Sequence, residues 1–522
     1  MTRVTQSPQE SSPGASRRQF LQWGTAAVAA SSLANVAIPQ VHAAEDTAAS
    51  FVCTTAACRS LAAQPGIPTG EPATNAGQRG SGATTTVRAG SASVKLTDDN
   101  MAELRAEQKV FDRLWEGEFR ANALVLDAGQ KICLLSLDAL TAPLDVTCRA
   151  ASRIAAATGI PEDNILICAT HTHTGHWTDD CFGSRPNTEF LRRMEEASVR
   201  AAVKAVAAID GANPRAQATV LFGQSQEATV GRNSRLLLKD GSIGWYGYEQ
   251  EDVVRPTGPY DPDLYVLALR RPDGTYSGLA FNHSVHNIGR IREDCMSPGF
   301  YGLAAQEIER RHGATVLYLP GAIGSTHNAT YNNSAVPAAE CVHRVVDAVE
   351  EALDRLQPAI PGPITVFNRQ VTYHVRRFDE AKEAAAVKSY LDRYLPKSGM
   401  LEACRKERES MAPHQGEARR LRLQVIRLGD LVFVGIPGEL FARLGLEIRR
   451  RSPFRHTCII GLANAYLGYI PDRKAYADGG YQTWAAWQSA MEVGTGEAIV
   501  DKAVAMLDEL YDAAPPQRHG AS

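Results

Sequence analysis

The sequence predicts an α/β protein, a mixed and partly parallel β-sheet core flanked by helices, and three observations carry that expectation. Short β-branched runs closed by glycine or polar residues recur along the chain, the pattern of buried strands rather than of helices. The stretch from Ala123 to Cys168 reads strand, strand, helix, strand, an order that favours parallel neighbours. Several apolar runs also stop abruptly on residues that bind metals or move protons. The clearest is Asn164 to Gly175, N-I-L-I-C-A-T-H-T-H-T-G, which ends on His171 and His173. Ligands in open α/β sheets sit beyond the carboxyl ends of the strands, and alternation sends both imidazoles to the same side. A metal site at those strand ends is therefore expected, although an H-x-H pair alone also suits hydrogen-bonded loop histidines.

Composition narrows the class of protein. With 522 residues, 44% of them apolar, and a formal charge of -3, the chain has no basic patch for nucleic acid. After the first fifty residues no stretch reaches the roughly 18 apolar positions of a membrane span, so the mature chain is expected to lack a transmembrane segment. Ser16-Arg17-Arg18-Gln19-Phe20-Leu21, an Ala-rich weakly hydrophobic run and then Val41-His42-Ala43 form a twin-arginine leader over residues 1–43, with export to the periplasm or beyond. Residues 44–93, rich in Ala, Gly, Thr and Ser, read as a poorly ordered arm. Ten cysteines without any C-x-x-C pair argue against a cysteine-held zinc. Cys53 and Cys58 could close a small loop in an oxidising compartment, and Cys133, Cys168 and Cys458 read as small buried hydrophobes.

The remaining elements follow in order. Strands are expected at Ala123–Leu126 and Ile132–Leu137, around the turn Asp127-Ala128-Gly129, then a helix from Asp145 to Thr158 and the strand Ile165–Cys168. Thr188–Ile209 is helical in spacing and stops before Gly211 and Pro214. Val220–Leu236 is strand-like and holds Gly231-Arg232-Asn233-Ser234-Arg235, whose guanidinium forks match carboxylates. Tyr265–Leu269 and Gly278–Val285 form a strand pair that runs into His283 and His286. Alternation puts these two on opposite faces, and His286 is the one expected to join His171. Val316–Leu319 leads into Pro320–Asn328, whose glycines permit close backbone approach. Helices at Ala338–Leu356 and Asp379–Leu395 come next, the second on the surface. Leu421–Leu428 and Leu431–Gly435 make a hairpin that ends in Pro437-Gly438-Glu439, where Glu439 is either a ligand or an N-cap for a helix near Phe441. Cys458–Leu462 opens onto N-A-Y-L-G-Y-I-P, and Tyr481 follows Gly479-Gly480.

These pieces resemble the catalytic domain of the neutral/alkaline non-lysosomal ceramidases, zinc-dependent amidases that cleave the N-acyl bond of ceramide. G-I-P-E-D-N-I-L-I-C-A-T-H-T-H-T-G from Gly159 to Gly175 matches the family strand ending in A-T-H-T-H-S-G. The likeness continues through the His286 strand, Pro320–Asn328, I-P-G-E at Ile436–Glu439 and G-L-A-N-A-Y-L-G-Y at Gly461–Tyr469, spanning Leu114 to Trp487. The resemblance implies zinc held by His171, His286, Glu439 and Tyr469, with His173 as the neighbouring acid or base. It implies that Tyr481 polarises the scissile carbonyl, that Arg232 or Arg235 binds substrate, and that His327 and Asn328 line the substrate loop.

Two departures bear on substrate. The family loop G-D-V-S-P-N becomes Gly324-Ser325-Thr326-His327-Asn328, with His327 at the serine position, and Gly299 replaces a usual acidic residue. A single catalytic domain over 94–522 is expected, without the family's C-terminal immunoglobulin-like domain. The expectation is an exported zinc hydrolase of an N-acyl amide in a small-molecule or lipid-like substrate. The rivals are a zinc hydrolase of an ester, lactone or glycoside, and a binding protein with a decayed pocket.

Overall fold

In the computed structural model, residues 86–96, 116–210, 213–292, 295–328, 337–359, 362 and 364–513 are described. The leader, Cys53, Cys58 and residues 44–85 lie outside them. The first elements are β1 (Thr86–Lys95), β2 (Arg120–Asp127), β3 (Lys131–Leu137), helix α1 (Leu144–Thr158) and β4 (Ile165–Ala169). After α2 (Thr188–Ala207) come β5 (Gln217–Gln226), β6 (Asp263–Arg270), β7 (Tyr276–His283), α3 (Gly299–His312), β8 (Val316–Pro320) and α4 (Ala338–Asp354). They build a nine-stranded sheet in the order β8-β7-β6-β5-β1-β2-β3-β4, with the short strand Gln357–Pro358 beside β5. The β3–β4 and β7–β8 pairs are parallel, and the sheet is otherwise antiparallel. Ser136 Oγ of β3 donates to the Tyr318 carbonyl of β8 at 2.5 Å. The two parallel pairs are thereby brought together although they stand far apart in strand order.

A second, four-stranded sheet runs β9 (Ile364–His374), β10 (Ala418–Leu428), β11 (Leu431–Gly435), β12 (His456–Ile460), with β11 and β12 parallel. It packs against the first sheet through a core that includes Leu124, Leu166, Leu267, Leu319, Ile426, Phe433 and Ile460. Helices α1 and α2 cover the outer face of the β1–β4 half, and α3 and α4 that of the β5–β8 half. The outer face of the second sheet is covered by α7 (Ala442–Arg451) and α9 (Thr495–Ala513). The layers are helices, sheet, sheet, helices, as expected where each sheet buries both faces. Helices α5 (Glu380–Tyr394) and α6 (Met400–Met411) pack together in a separate cluster with Trp484, and α8 (Arg473–Asp478) joins the core of the second sheet through Ala475. Buried Val387, Tyr390 and Leu391 make α5 more than a surface helix. No helix among the described residues is long and apolar enough to cross a membrane.

Two expectations are corrected. The arm does not extend to residue 93, because Thr86–Lys95 is an inner strand between β5 and β2. Its small residues reflect close packing: a Cβ at Gly90 would stand 2.4 Å from the Ala205 carbonyl of α2. Val220–Leu236 is not one strand either. β5 ends at Gln226, Gly231–Asn233 pairs with Thr326–Asn328, and Leu236–Leu238 joins Ile243–Gly244 and Val253–Pro256 in a separate three-stranded sheet. Elements β9, α3, α6 and α9 lack any counterpart in the reading of the sequence. Cys133, Cys168 and Cys458 are buried, and burial pushes each thiol up to about 12.

Candidate metal centre

The carboxyl ends of three parallel strand pairs converge on one buried cluster. His171 follows β4, His286 follows β7 and Glu439 follows β11. Just beyond the strand, His171 turns into the left-handed region at φ 60, so strand alternation is not what aims it. A non-glycine residue held there is strained, and such strain gathers at functional sites. The segment after β12 clamps the edge of β4 beside it. Asn464 donates its N–H to the Ile167 carbonyl at 2.7 Å, and its side-chain oxygen accepts from the Ile167 N–H at 2.9 Å.

Backbone carbonyls fix both imidazoles. His171 Nδ1 lies 2.7 Å from the Leu140 carbonyl and His286 Nδ1 lies 2.9 Å from that of Ile323. A carbonyl only accepts, so each Nδ1 carries the proton and each Nε2 presents a lone pair. Glu439 is oriented similarly. Its Oε1 accepts from the Tyr466 hydroxyl at 2.8 Å, while Oε2 stands 3.0 Å from His286 Nε2 and 3.6 Å from His171 Nε2. These two nitrogens and this oxygen are buried, and apart from the 3.0 Å approach of His286 Nε2 to Glu439 Oε2 none of them has a hydrogen-bond partner. Such convergence is costly unless a ligand satisfies the atoms, and two neutral imidazoles with a carboxylate are a familiar zinc set. Glu439 caps no helix. It pairs with Tyr469 in the short parallel strands Glu439–Leu440 and Tyr469–Ile470.

His173 completes a group of three histidines, its ligand atom within 4.8 Å of those of His171 and His286, and is the least buried of the three. Its ring centroid lies 4.6 Å from that of His171 and 5.6 Å from that of His286. Burial, reinforced by His286, pushes His171 down to about 4, although Glu439 opposes the shift. His173 is driven well below the usual imidazole range by the protein crowded around its ring, although part of the residue reaches solvent, and by His171, His286 and His327 beside it. Both are neutral at pH 7, the state that binds metal or accepts a proton. His283 is elsewhere, bonded through Nδ1 to the Tyr301 hydroxyl at 2.6 Å.

The other expected residues divide. His327 stacks on His286 with centroids 5.0 Å apart and planes 6° apart. Tyr469 lies 6.5 Å from His286 and 6.1 Å from Tyr481, ring to ring. Burial holds both phenols protonated. Arg232 stands opposite His327 in the pairing of Gly231–Asn233 with Thr326–Asn328; burial drives His327 well below the usual imidazole range, and His286 and the Arg232 charge add to the shift. Arg235 is instead buried, donating to Gln482 Oε1 and the Ala475 carbonyl at 3.1 Å and the Gly479 carbonyl at 2.5 Å. Of the two arginines, only Arg232 borders the histidines. Asn328 donates to the Ile288 carbonyl, which fixes the loop after His286.

The glycines serve the scaffold. A Cβ at Gly324 would stand 2.1 Å from the Glu439 carbonyl, so the loop approaches the carboxylate's own backbone. Gly299 has φ +74, and a Cβ there would stand 2.1 Å from Asn287 Oδ1, which leaves no space for an acidic side chain. Sequence reasoning missed Tyr466, three residues before Tyr469 in the same motif. Nothing in its spacing marks it as the partner of Glu439.

Buried imidazoles and a carboxylate at strand ends define the class, an α/β protein with a candidate metal centre. No family model matches the chain. It is 22% identical over 414 residues to the neutral ceramidase of Pseudomonas aeruginosa, a match covering 67% of this chain and 60% of that protein. The crystal structure of that neutral ceramidase aligns with a TM-score of 0.60 and 19% identity, over 84% of this chain and 76% of that one. A ceramidase complexed with C2 aligns at 0.61 and 18%, over 84% and 77%. The chain is therefore neutral-ceramidase-like in sequence and in fold, and the match spans 60% of the curated relative's length.

Proposed function

We propose that the chain is an exported, zinc-dependent hydrolase of an N-acyl amide. The observation that carries this reading is the convergence of His171 Nε2, His286 Nε2 and Glu439 Oε2, all buried and with no partners beyond one another. These residues would hold the ion, with Tyr469 as a further ligand implied by the resemblance. When bound, zinc supplies a Lewis acid and lowers the pKa of water from about 15.7 toward 7.

The chain's own groups would then do the following. Neutral His173 takes a proton from the attacking water and returns it to the leaving nitrogen, so that amide and water become acid and amine. The Tyr481 hydroxyl donates to the developing oxyanion. Arg232 offers a fork to an acidic or strongly polar substrate group. The related enzyme's name points to ceramide. His327 at the family serine position stacks on His286 and favours another N-acyl compound.

The test is metal analysis of the mature protein, then a panel of ceramide, other N-acyl lipids, N-acyl amino acids, esters, lactones and glycosides. Cleavage confined to amides is expected. Cleavage of another class alone would reassign the bond, and a chain without bound zinc or metal-restored turnover would sink the enzyme reading. His173→Ala should lower turnover roughly 10²–10⁴-fold while sparing zinc; lost zinc would instead make His173 a ligand. Arg17→Lys combined with Arg18→Lys should strand the chain in the cytoplasm, which fractionation would reveal.

A further inference from the structure

The three-stranded sheet from Leu236 to Pro256, with Arg235 at its entrance, is not explained by the metal centre, yet it grips the turn that carries Tyr481 at successive points. Arg235 donates to the Gly479 and Ala475 carbonyls and to Gln482. A Cβ at Gly480 would stand 2.8 Å from that of Ile243, so the two backbones are in close contact. Trp245 lies face to face on Tyr481, with centroids 3.8 Å apart and planes 4° apart. The other rings around Tyr481, those of Phe182, Trp484 and Tyr469, stand 5.7–6.2 Å away. Among the described residues, Trp245 makes the closest and most nearly parallel ring contact with Tyr481.

Trp245 is itself held. The Tyr390 hydroxyl of α5 accepts from the Trp245 N–H at 2.5 Å and the Tyr246 N–H at 3.1 Å, and donates to the Tyr246 carbonyl at 3.0 Å. Gly247, at φ +79, lets the loop pass where a Cβ would stand 2.1 Å from the Tyr394 carbonyl. From this geometry we infer that Trp245 is a positioning residue, its backbone seated by Tyr390, which fixes the orientation of the Tyr481 phenol beside Tyr469. The inference rests on the proposed role of Tyr481 for its catalytic consequence, but the ordering itself is a separate property. A ring held on one face by a rigid indole loses little freedom when substrate arrives. Misplacement by about 1 Å costs up to 10²-fold in rate.

The experiment uses full-length mature, zinc-loaded protein labelled with fluorotyrosine, with the Tyr481 fluorine resonance assigned by its loss in Tyr481→Phe. The indole ring current should displace that resonance. Trp245→Leu should move it toward the free amino acid value and broaden it, whereas Trp245→Phe should keep most of the displacement. With a fluorogenic N-octanoyl aminocoumarin and the amides of the panel, Trp245→Leu should lower kcat roughly tenfold or more, with KM within about twofold. Trp245→Phe should recover most of that loss, and Trp245→Leu added to Tyr481→Phe should cost nothing further. An unmoved resonance in the Leu variant, or losses that multiply in the double variant, would overturn the inference. If the wild type cleaves no amide, the proposed function fails, and the resonance alone still decides whether Trp245 orders Tyr481.

Discussion

His171 and His286 hang from the ends of two parallel strand pairs and are pinned by the main-chain carbonyls of Leu140 and Ile323. Tyr481 hangs from a short turn pinned by Arg235 and Trp245, side chains of a hairpin far away in sequence. The contrast separates what each side of the centre tolerates. A carbonyl pin survives side-chain changes at the residue that supplies it, so the placement of the two imidazoles is a property of the backbone, and among these three ligands only Glu439 depends on a side-chain pin, the Tyr466 hydroxyl. A side-chain pin can be altered by one substitution, so the substrate side can change while the metal side stays put. Of the two departures from the family pattern, His327 belongs to the changeable side, whereas Gly299 belongs to the scaffold.

The largest expected effect would break the ligand side outright. His171→Ala or His286→Ala should lose zinc on dialysis, with affinity falling beyond the roughly 10–100-fold that loss of an outer partner costs. Metal content measured after chelator competition checks this, and full occupancy in either variant would show the assignment wrong. Tyr466→Phe comes next in size. It removes the hydrogen bond that leaves Glu439 Oε2 facing the histidines, and zinc affinity should fall about 10–100-fold with the fold intact. An unchanged chelator titration would mean that strand pairing with Tyr469 alone orients the carboxylate.

The same contrast governs what could be read from the sequence. Strand ends announce themselves, because Ile165–Ala169 is a β-branched run and His171 and His173 follow at fixed offsets. The β3–β4 parallel pairing follows from the helix between them. β1 was hidden by its composition: T-V-R-A-G-S-A-S-V-K reads as low complexity, but small residues are what a strand needs where α2 crosses at Ala205. The break in Val220–Leu236 was hidden because the segment opens and closes on apolar residues, and the pairing of Gly231–Asn233 with Thr326–Asn328, distant in sequence, is what divides it. The Trp245–Tyr481 stack leaves no periodic trace, since it joins a hairpin tip to a glycine turn. Arg232 and Arg235 were indistinguishable by residue type, and only burial separates them.

That last pair gives the finest test of the contrast. Arg235 is almost fully buried, and burial lowers its guanidinium to about 10, with Asp478 and Asp472 opposing the shift. Arg235→Met would leave the carbonyls of Ala475 and Gly479 and the Gln482 oxygen without these donors, in a setting where one orphaned buried group costs about 1–3 kcal/mol. Global stability should fall by about 2–3 kcal/mol, read from the denaturant midpoint, and turnover should fall with it as the Tyr481 turn loosens. Arg232 is partly exposed on a three-residue strand. Arg232→Met should change stability by no more than about 0.5 kcal/mol, and should raise KM for an acidic N-acyl substrate roughly tenfold through the lost charged hydrogen bond. Equal stability losses in the two variants would erase the distinction between scaffold and substrate arginines. An unchanged KM in Arg232→Met would remove Arg232 from substrate binding and leave the stacked His327 as the polar group beside the histidines.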